Sequence, residues 1–185
     1  MRKNFGAHAS IYPQPVFILA AYGEDGTPCA MNAAWGGTYD NDQVVLCLSP
    51  EHKTTQNILA RKAFVVSMAD AAHAAPCDYV GIVSGNKVAD KVARAGFHTE
   101  KSKFVDATVI QELGLAMECE FVKTTEDGQV IGRVVNVSAD ESVLGADGKV
   151  DPEKLNVILY DGIQMTYRAV GPVVAQAFSA GKALK

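Results

Sequence analysis

No apolar run in this 185-residue chain exceeds the length of a strand, far short of the roughly 20 residues that a membrane-spanning helix needs. Charge of one sign is also lacking. The 17 Lys and Arg stand against 21 Asp and Glu, and no long basic run occurs, so no electrostatic footprint for nucleic acid is expected. The four cysteines (Cys29, Cys47, Cys77, Cys119) form no C-x-x-C pair, and no cluster of Cys, His or carboxylates accompanies them, so no metal site is expected. Three of them sit in or beside apolar strand patterns and read as buried free thiols, which suit a reducing cytosol. The charged start Met1-Arg2-Lys3-Asn4 is not followed by an apolar signal core, which points to a soluble, cytoplasmic protein without an export signal. There is no G-x-G-x-x-G motif, no P-loop and no ordered Ser, His and Asp set. Repeats, low-complexity tracts and linkers are missing too, so residues 1–185 are expected to form one domain.

What is there is ordinary globular material, 48% hydrophobic and 21% charged, arranged as short strands between marked turns. Val16 to Tyr22 and Thr27 to Trp35 read as a hairpin around Gly23-Glu24-Asp25-Gly26. Val44 to Ser49 is a third strand. Its five apolar residues, Val44 to Leu48, leave no polar face, the pattern of a strand covered on both sides. Ser49-Pro50 stops it, and a helix from Thr54 to Lys62 leads to a strand at Phe64 to Met68. Ala71 to Arg94 is alanine-rich and helix-compatible, broken into pieces by Gly81 and Gly85.

Leu115 to Lys123 shows the clearest alternation. Leu115, Met117, Cys119 and Phe121 face a core, while Glu118 and Glu120 face water. Gln129 to Ala139 returns beside it across Glu126-Asp127-Gly128. Asp147-Gly148-Lys149 is a turn, and Asp151 to Leu155 can start a short helix with Pro152 at its first position. Met165 to Val170 and Val173 to Ala177 read as short strands or extended segments. Many short strands with few helices predict a mainly β protein built on a small antiparallel barrel.

Two neighbouring stretches carry the chemistry. Around the start of the Thr54 helix stand Ser49, His52, Lys53, Thr54 and Thr55. A helix start has unpaired N–H groups and a dipole that favours anions, so these residues can form a phosphate cradle. A capped surface helix with one solvated lysine explains the same residues. Upstream, Asn32-Ala33-Ala34-Trp35-Gly36-Gly37 ends a strand with small residues, an amide and the only Trp. Small side chains let a flat ligand approach the backbone, and the glycines permit a tight turn. A strand ending in a glycine turn, with Trp35 as a core aromatic, fits equally.

Taken together, these stretches resemble the flavin reductase-like, FMN-binding split-barrel family, and within it the flavoredoxin branch. The resemblance continues through Pro15-Val16, Asp78 to Gly85, Gly96-Phe97, Lys103-Phe104 and Ala177 to Lys182, so it covers nearly the whole chain. It implies a six-stranded split barrel that forms a homodimer with FMN at the subunit interface. By position, it implies that Asn32, Ala33, Ala34 and Trp35 line the isoalloxazine ring, and that Ser49, His52, Lys53, Thr54 and Thr55 hold the phosphate. Asn57 is a weaker candidate one helical turn on, and Asp90-Lys91 follows a loop where family members often place a lysine near the cofactor. His98 is a candidate for the substrate side of the flavin, or an exposed loop histidine. His8 and His73 read as surface residues. Arg168 could neutralise a nucleotide phosphate or pair with a carboxylate.

The implied chemistry belongs to the cofactor, which accepts a hydride or single electrons, so no acid, base or nucleophile need be present. Two main function classes follow, and a third beside them. One is an FMN oxidoreductase drawing on NADH or NADPH as a transient co-substrate. The other is an electron carrier that docks with protein redox partners. A third is an FMN-binding module for storage or sensing.

Overall fold

In the computed structural model, which describes residues 1–184, the first half of the chain runs from strand to helix and back. β1 (Gln14–Pro15), β2 (Phe17–Tyr22), β3 (Pro28–Ala33), β4 (Gly36–Asp40) and β5 (Gln43–Leu46) precede α1 (Lys53–Arg61) and β6 (Ala63–Met68). Helices α2 (Ala74–Ile82) and α3 (Lys91–Arg94) follow, then β7 (Thr99–Lys101), β8 (Thr108–Ile110), β9 (Leu115–Thr124) and β10 (Val130–Ala139). The chain continues through α4 (Pro152–Leu155), β11 (Ile158–Asp161) and β12 (Thr166–Ala169). The main sheet has seven strands in the order β3-β2-β6-β9-β10-β5-β4, every neighbouring pair antiparallel. Bulges in β10 near Gly132 and Val134, and in β4 near Thr38, bend it into a half-barrel. The expectation of a mainly β split barrel holds, and β4 paired onto β5 brings the count to seven. A small sheet of β1, β11 and β12 and the hairpin β7–β8 close over it.

β2 is buried on both faces, as is its neighbour β6. Phe17, Leu19 and Ala21 enter the core inside the curl with Leu46, Ile58, Phe64 and Val66. Val16, Ile18 and Ala20 enter a second core beneath α2 and α3, with Val80, Val92, Phe97 and Ile158. The expectation that Val44 to Leu48 is covered on both faces is corrected. Val44, Leu46 and Leu48 are buried, but Val45 is half-buried and Cys47 is exposed, because no element of the described residues crosses the outside of β5. Cys47 is therefore not a buried thiol, whereas Cys29, Cys77 and Cys119 are. Burial pushes the Cys77 and Cys119 thiols up to about 12.

Other expectations change for physical reasons that lie far off in sequence. Gly36-Gly37 is not a turn but the start of β4. A Cβ on Gly36 would stand 2.6 Å from the Val45 carbonyl oxygen, so the strands approach closely only with glycine there. Gly81 does not break a helix; it lies within α2, where a Cβ would meet the Asn32 Cβ at 2.7 Å. The polar face of β9 is wet at Glu120, which is exposed, but not at Glu118. Glu118 is 3% exposed, covered by the β7–β8 region, and accepts hydrogen bonds from Ser102 Oγ, from Asn136 Nδ2 at 2.6 Å and from Ser138 Oγ at 3.4 Å. Residues 173–177 form no strand and are exposed. Elsewhere the local chemistry acts as expected, with Asp151 capping α4 through Glu153 N at 2.9 Å and Pro152 at its first position.

Candidate functional site

The end of β3, the first residues of β4 and the start of α1 are brought together by pairing rather than by sequence. Trp35 bridges β3 and β4, and its carbonyl accepts from Cys47 N at 2.8 Å, tying it to the end of β5. Its indole is 65% exposed, so Trp35 is not a core aromatic. It lines a cleft of about 710 Å³ with Ala34, Cys47, Tyr12, Tyr160 and Ile163. The size and mixed aromatic lining suit a planar ligand of cofactor size.

α1 starts at Lys53 after His52, and no side chain caps it; its first turn holds no acidic residue. Its early amides and the Lys53 ammonium thus favour an anion. Ser49 and His52 are exposed beside it, and Lys53 is half-buried. The two threonines turn inward. Thr54 is 1% exposed with Oγ1 3.3 Å from Cys29 Sγ, and Thr55 is 2% exposed with its hydroxyl unpartnered. Asn57 is 3% exposed, and its Nδ2 is likewise unpartnered. Asn57 and Lys53 line a second, smaller cleft of about 230 Å³ with Thr27, Cys29 and Gly85. At Gly85 a Cβ would stand 2.7 Å from Cys29 Sγ and 3.1 Å from Lys53 Cβ, so glycine keeps that approach open.

Asn32 is half-buried, with Nδ2 3.3 Å from both Cys77 O and Tyr167 Oη. Tyr167 donates in turn to Asp78 Oδ1 at 2.7 Å. Burial, with Asp78 as the next cause, pushes the Tyr167 phenol well above its ordinary value, so it stays protonated. Lys91, expected near a cofactor, is 3% exposed and donates to Val80 O and Val83 O, both at 2.8 Å, at the end of α2. Burial lowers its pKa.

The remaining candidates lie elsewhere. His98 is exposed on its loop, with Nδ1 2.6 Å from Glu112 Oε1 and its backbone N–H donating to the same carboxylate. Partial burial raises the Glu112 pKa, but the His98 hydrogen bonds outweigh it and hold the carboxyl below its usual range. Glu112 lines a separate cleft of about 340 Å³ with Asp70, His73 and Lys154, so one chain does not bring His98 to Trp35. His73 is not a lone surface residue; it is half-buried, with Nδ1 2.9 Å from both oxygens of Asp70. His8 is exposed at the rim of the Trp35 cleft. Arg168 pairs with a carboxylate, Nε lying 2.6 Å from the buried Asp161, and this hydrogen bond holds the Asp161 carboxyl below its usual range. Tyr12 and Cys47 in the cleft were missed. Reading β5 as a single-faced strand would have turned Cys47 outward, but nothing local marks Tyr12.

A family model described as the flavin reductase like domain matches residues 9–164. The chain belongs to the flavin reductase-like domain family. Its fold is also that of solved structures. Flavoredoxin of Desulfovibrio vulgaris (Miyazaki F) superposes with a TM-score of 0.94 at 35% identity, over 98% of this chain and 100% of that one. Flavoredoxin from Methanosarcina acetivorans gives a TM-score of 0.89 at 25% identity, over 100% of both chains. An FMN-binding domain of a flavin reductases-like enzyme from Shewanella baltica OS155 gives 0.77 at 20% identity, over 88% of this chain and 89% of that one, and shows the shared fold alone. No curated protein matches the sequence. The uncapped α1 start and the exposed Trp35 would suit a flavin cofactor. No helix of the described residues is long and apolar enough to cross a membrane.

Proposed function

We propose that this chain binds FMN noncovalently and acts as a homodimeric oxidoreductase that passes electrons from NAD(P)H or a redox partner to an acceptor. The observation that carries the reading is the uncapped, acid-free start of α1, with Lys53 beside it, in a chain 35% identical to a flavoredoxin over nearly its full length. The residues fit FMN: α1 amides and Lys53 for the phosphate, Trp35 for the ring, and the buried donor Asn57 Nδ2 left without a partner. When bound, FMN supplies the redox chemistry, and the protein supplies binding, orientation and exclusion of water. Ser49 and His52 are free to add donors from the exposed side.

The homodimer is supported by apolar surface that one chain leaves uncovered. Cys47 and Trp35 are open beside β5, and Phe5, Ile11, Val173 and Phe178 on the two terminal arms are each at least 74% exposed. A cytoplasmic site of action belongs to the same reading. The electron-carrier function is a second reading, favoured by the flavoredoxin likeness over 98% of the chain.

Anaerobic addition of NADH, then NADPH, to the FMN-loaded protein separates the two. Rapid bleaching of the visible flavin bands by either nucleotide is expected of the reductase. Bleaching by dithionite alone supports the carrier and excludes nucleotide-driven turnover. Lys53→Ala is expected to weaken FMN binding by about 1.5–3 kcal/mol, the scale of a charged hydrogen bond, as read by calorimetric titration. Unchanged affinity removes Lys53 from the phosphate site.

A further inference from the structure

We propose that Asn32 meets the ligand of this site as an acceptor only, through its side-chain carbonyl, and that Tyr167 and Asp78 are positioning residues that hold it so. The inference rests on the FMN reading and narrows it: the group facing Asn32 is the imide N–H of the flavin pyrimidine ring.

The hydrogen-bond chemistry leaves one consistent arrangement. Cys77 O is a carbonyl and can only accept, so the Asn32 atom 3.3 Å away is the amide nitrogen. A carboxylate also only accepts, so Tyr167 donates its one proton to Asp78 Oδ1 at 2.7 Å. The Tyr167 oxygen is then left to accept from Asn32 Nδ2 at 3.3 Å. Both N–H groups of Asn32 are used inside the fold, and its Oδ1 has no partner among the described residues. Turning the amide over would oppose two oxygens at Cys77 and leave Tyr167 facing an acceptor without a proton to give.

Two other elements converge on this one amide. Asn32 lies on β3, Asp78 and Cys77 on α2, and Tyr167 on β12. Gly81 allows the approach, since a Cβ there would stand 2.7 Å from the Asn32 Cβ. Asn32 stands just before Ala34 and Trp35, which line the cleft that receives the ring in the FMN reading. A polar side chain held from two other elements, with a single unused acceptor, is built to distinguish an N–H from its absence.

Affinities for FMN and for N3-methyl-FMN, which lacks the imide N–H, are measured by fluorescence titration in the wild type, Tyr167→Phe and Asn32→Ala. Near-ultraviolet circular dichroism verifies that each variant is folded. The wild type is expected to prefer FMN by about tenfold, one charge-neutral hydrogen bond with its desolvation. Tyr167→Phe is expected to reduce that preference severalfold and Asn32→Ala to abolish it, while affinity for N3-methyl-FMN barely changes. Equal binding of both flavins by the wild type overturns the inference and leaves the FMN reading standing. So does a preference that survives both substitutions. A chain that binds neither flavin overturns the FMN reading and this inference with it.

Discussion

Phe64→Ala is expected to destabilise the folded chain by about 3–5 kcal/mol, as for other fully buried aromatic residues. Phe64 is 0% exposed on β6 and packs among Leu19, Leu46, Ile58 and Cys119 inside the curl of the sheet. Its ring occupies the space over Gly132, where a Cβ would stand 2.3 Å from Phe64 Cζ and 2.8 Å from Cε1. Gly132 is also the site of a bulge in β10, so the ring and the glycine together set the local bend of the half-barrel. Gly132→Ala is therefore expected to cost about 1–3 kcal/mol by overpacking. Combined with Phe64→Leu, the loss should be smaller than the sum of the two, because the smaller side chain makes room for the methyl. Urea denaturation of Phe64→Ala, Gly132→Ala, Phe64→Leu and the double variant measures these effects. A Phe64→Ala protein within about 1 kcal/mol of wild type would mean that this core is not packed around the ring.

Glu118→Ala is expected to cost about 3 kcal/mol, since hydrogen bonds to a charged group contribute roughly 1.5–3 kcal/mol each and buried donors lose their acceptor. The effect should also be local. Ser102 Oγ donates to Glu118 and accepts from Phe104 N and Val105 N, both at 2.9 Å, so one hydroxyl joins the β7–β8 loop to β9. Asn136 Nδ2, at 2.6 Å from the other carboxylate oxygen, joins β10 to the same point. Amide hydrogen exchange in Glu118→Ala should quicken first between Thr99 and Ile110, where the carboxylate is the anchor. Glu118→Gln keeps one acceptor and should lose less. Unchanged exchange in that segment would show that apolar packing of Val105 and Ala107 alone holds it.

Glu118 also shows where sequence reading stops. The alternation along β9 was legible, and so were its hairpin with β10, the β2–β3 hairpin and α1 to within a residue of its ends. Those features depend on neighbours a few positions away. A glutamate on a strand reads as solvent-facing because its donors, Ser102, Asn136 and Ser138, lie 16 to 20 residues distant. Gly36, Gly81 and Gly132 were legible as glycines but not as close approaches, since each clash partner comes from another element. β5 failed in the opposite sense: its apolar outer face suggested a cover that a single chain does not provide.

The candidate site divides the same way. Trp35, Lys53 and the α1 start could be picked out from residue type and position, because a helix start carries its chemistry locally. The inward turn of Thr54 and Thr55 could not, since it depends on Cys29 and the core behind them. Nor could the orientation of Asn32, which is set by Cys77 and by Tyr167, 135 residues later.

The central claim is that this chain is an FMN protein, and equilibrium titration of the purified protein with FMN, followed by visible absorption after removal of free flavin, tests it most directly. The account predicts a yellow complex with stoichiometric FMN per chain that Lys53→Ala weakens. A protein that stays colourless at every FMN concentration tried would contradict it.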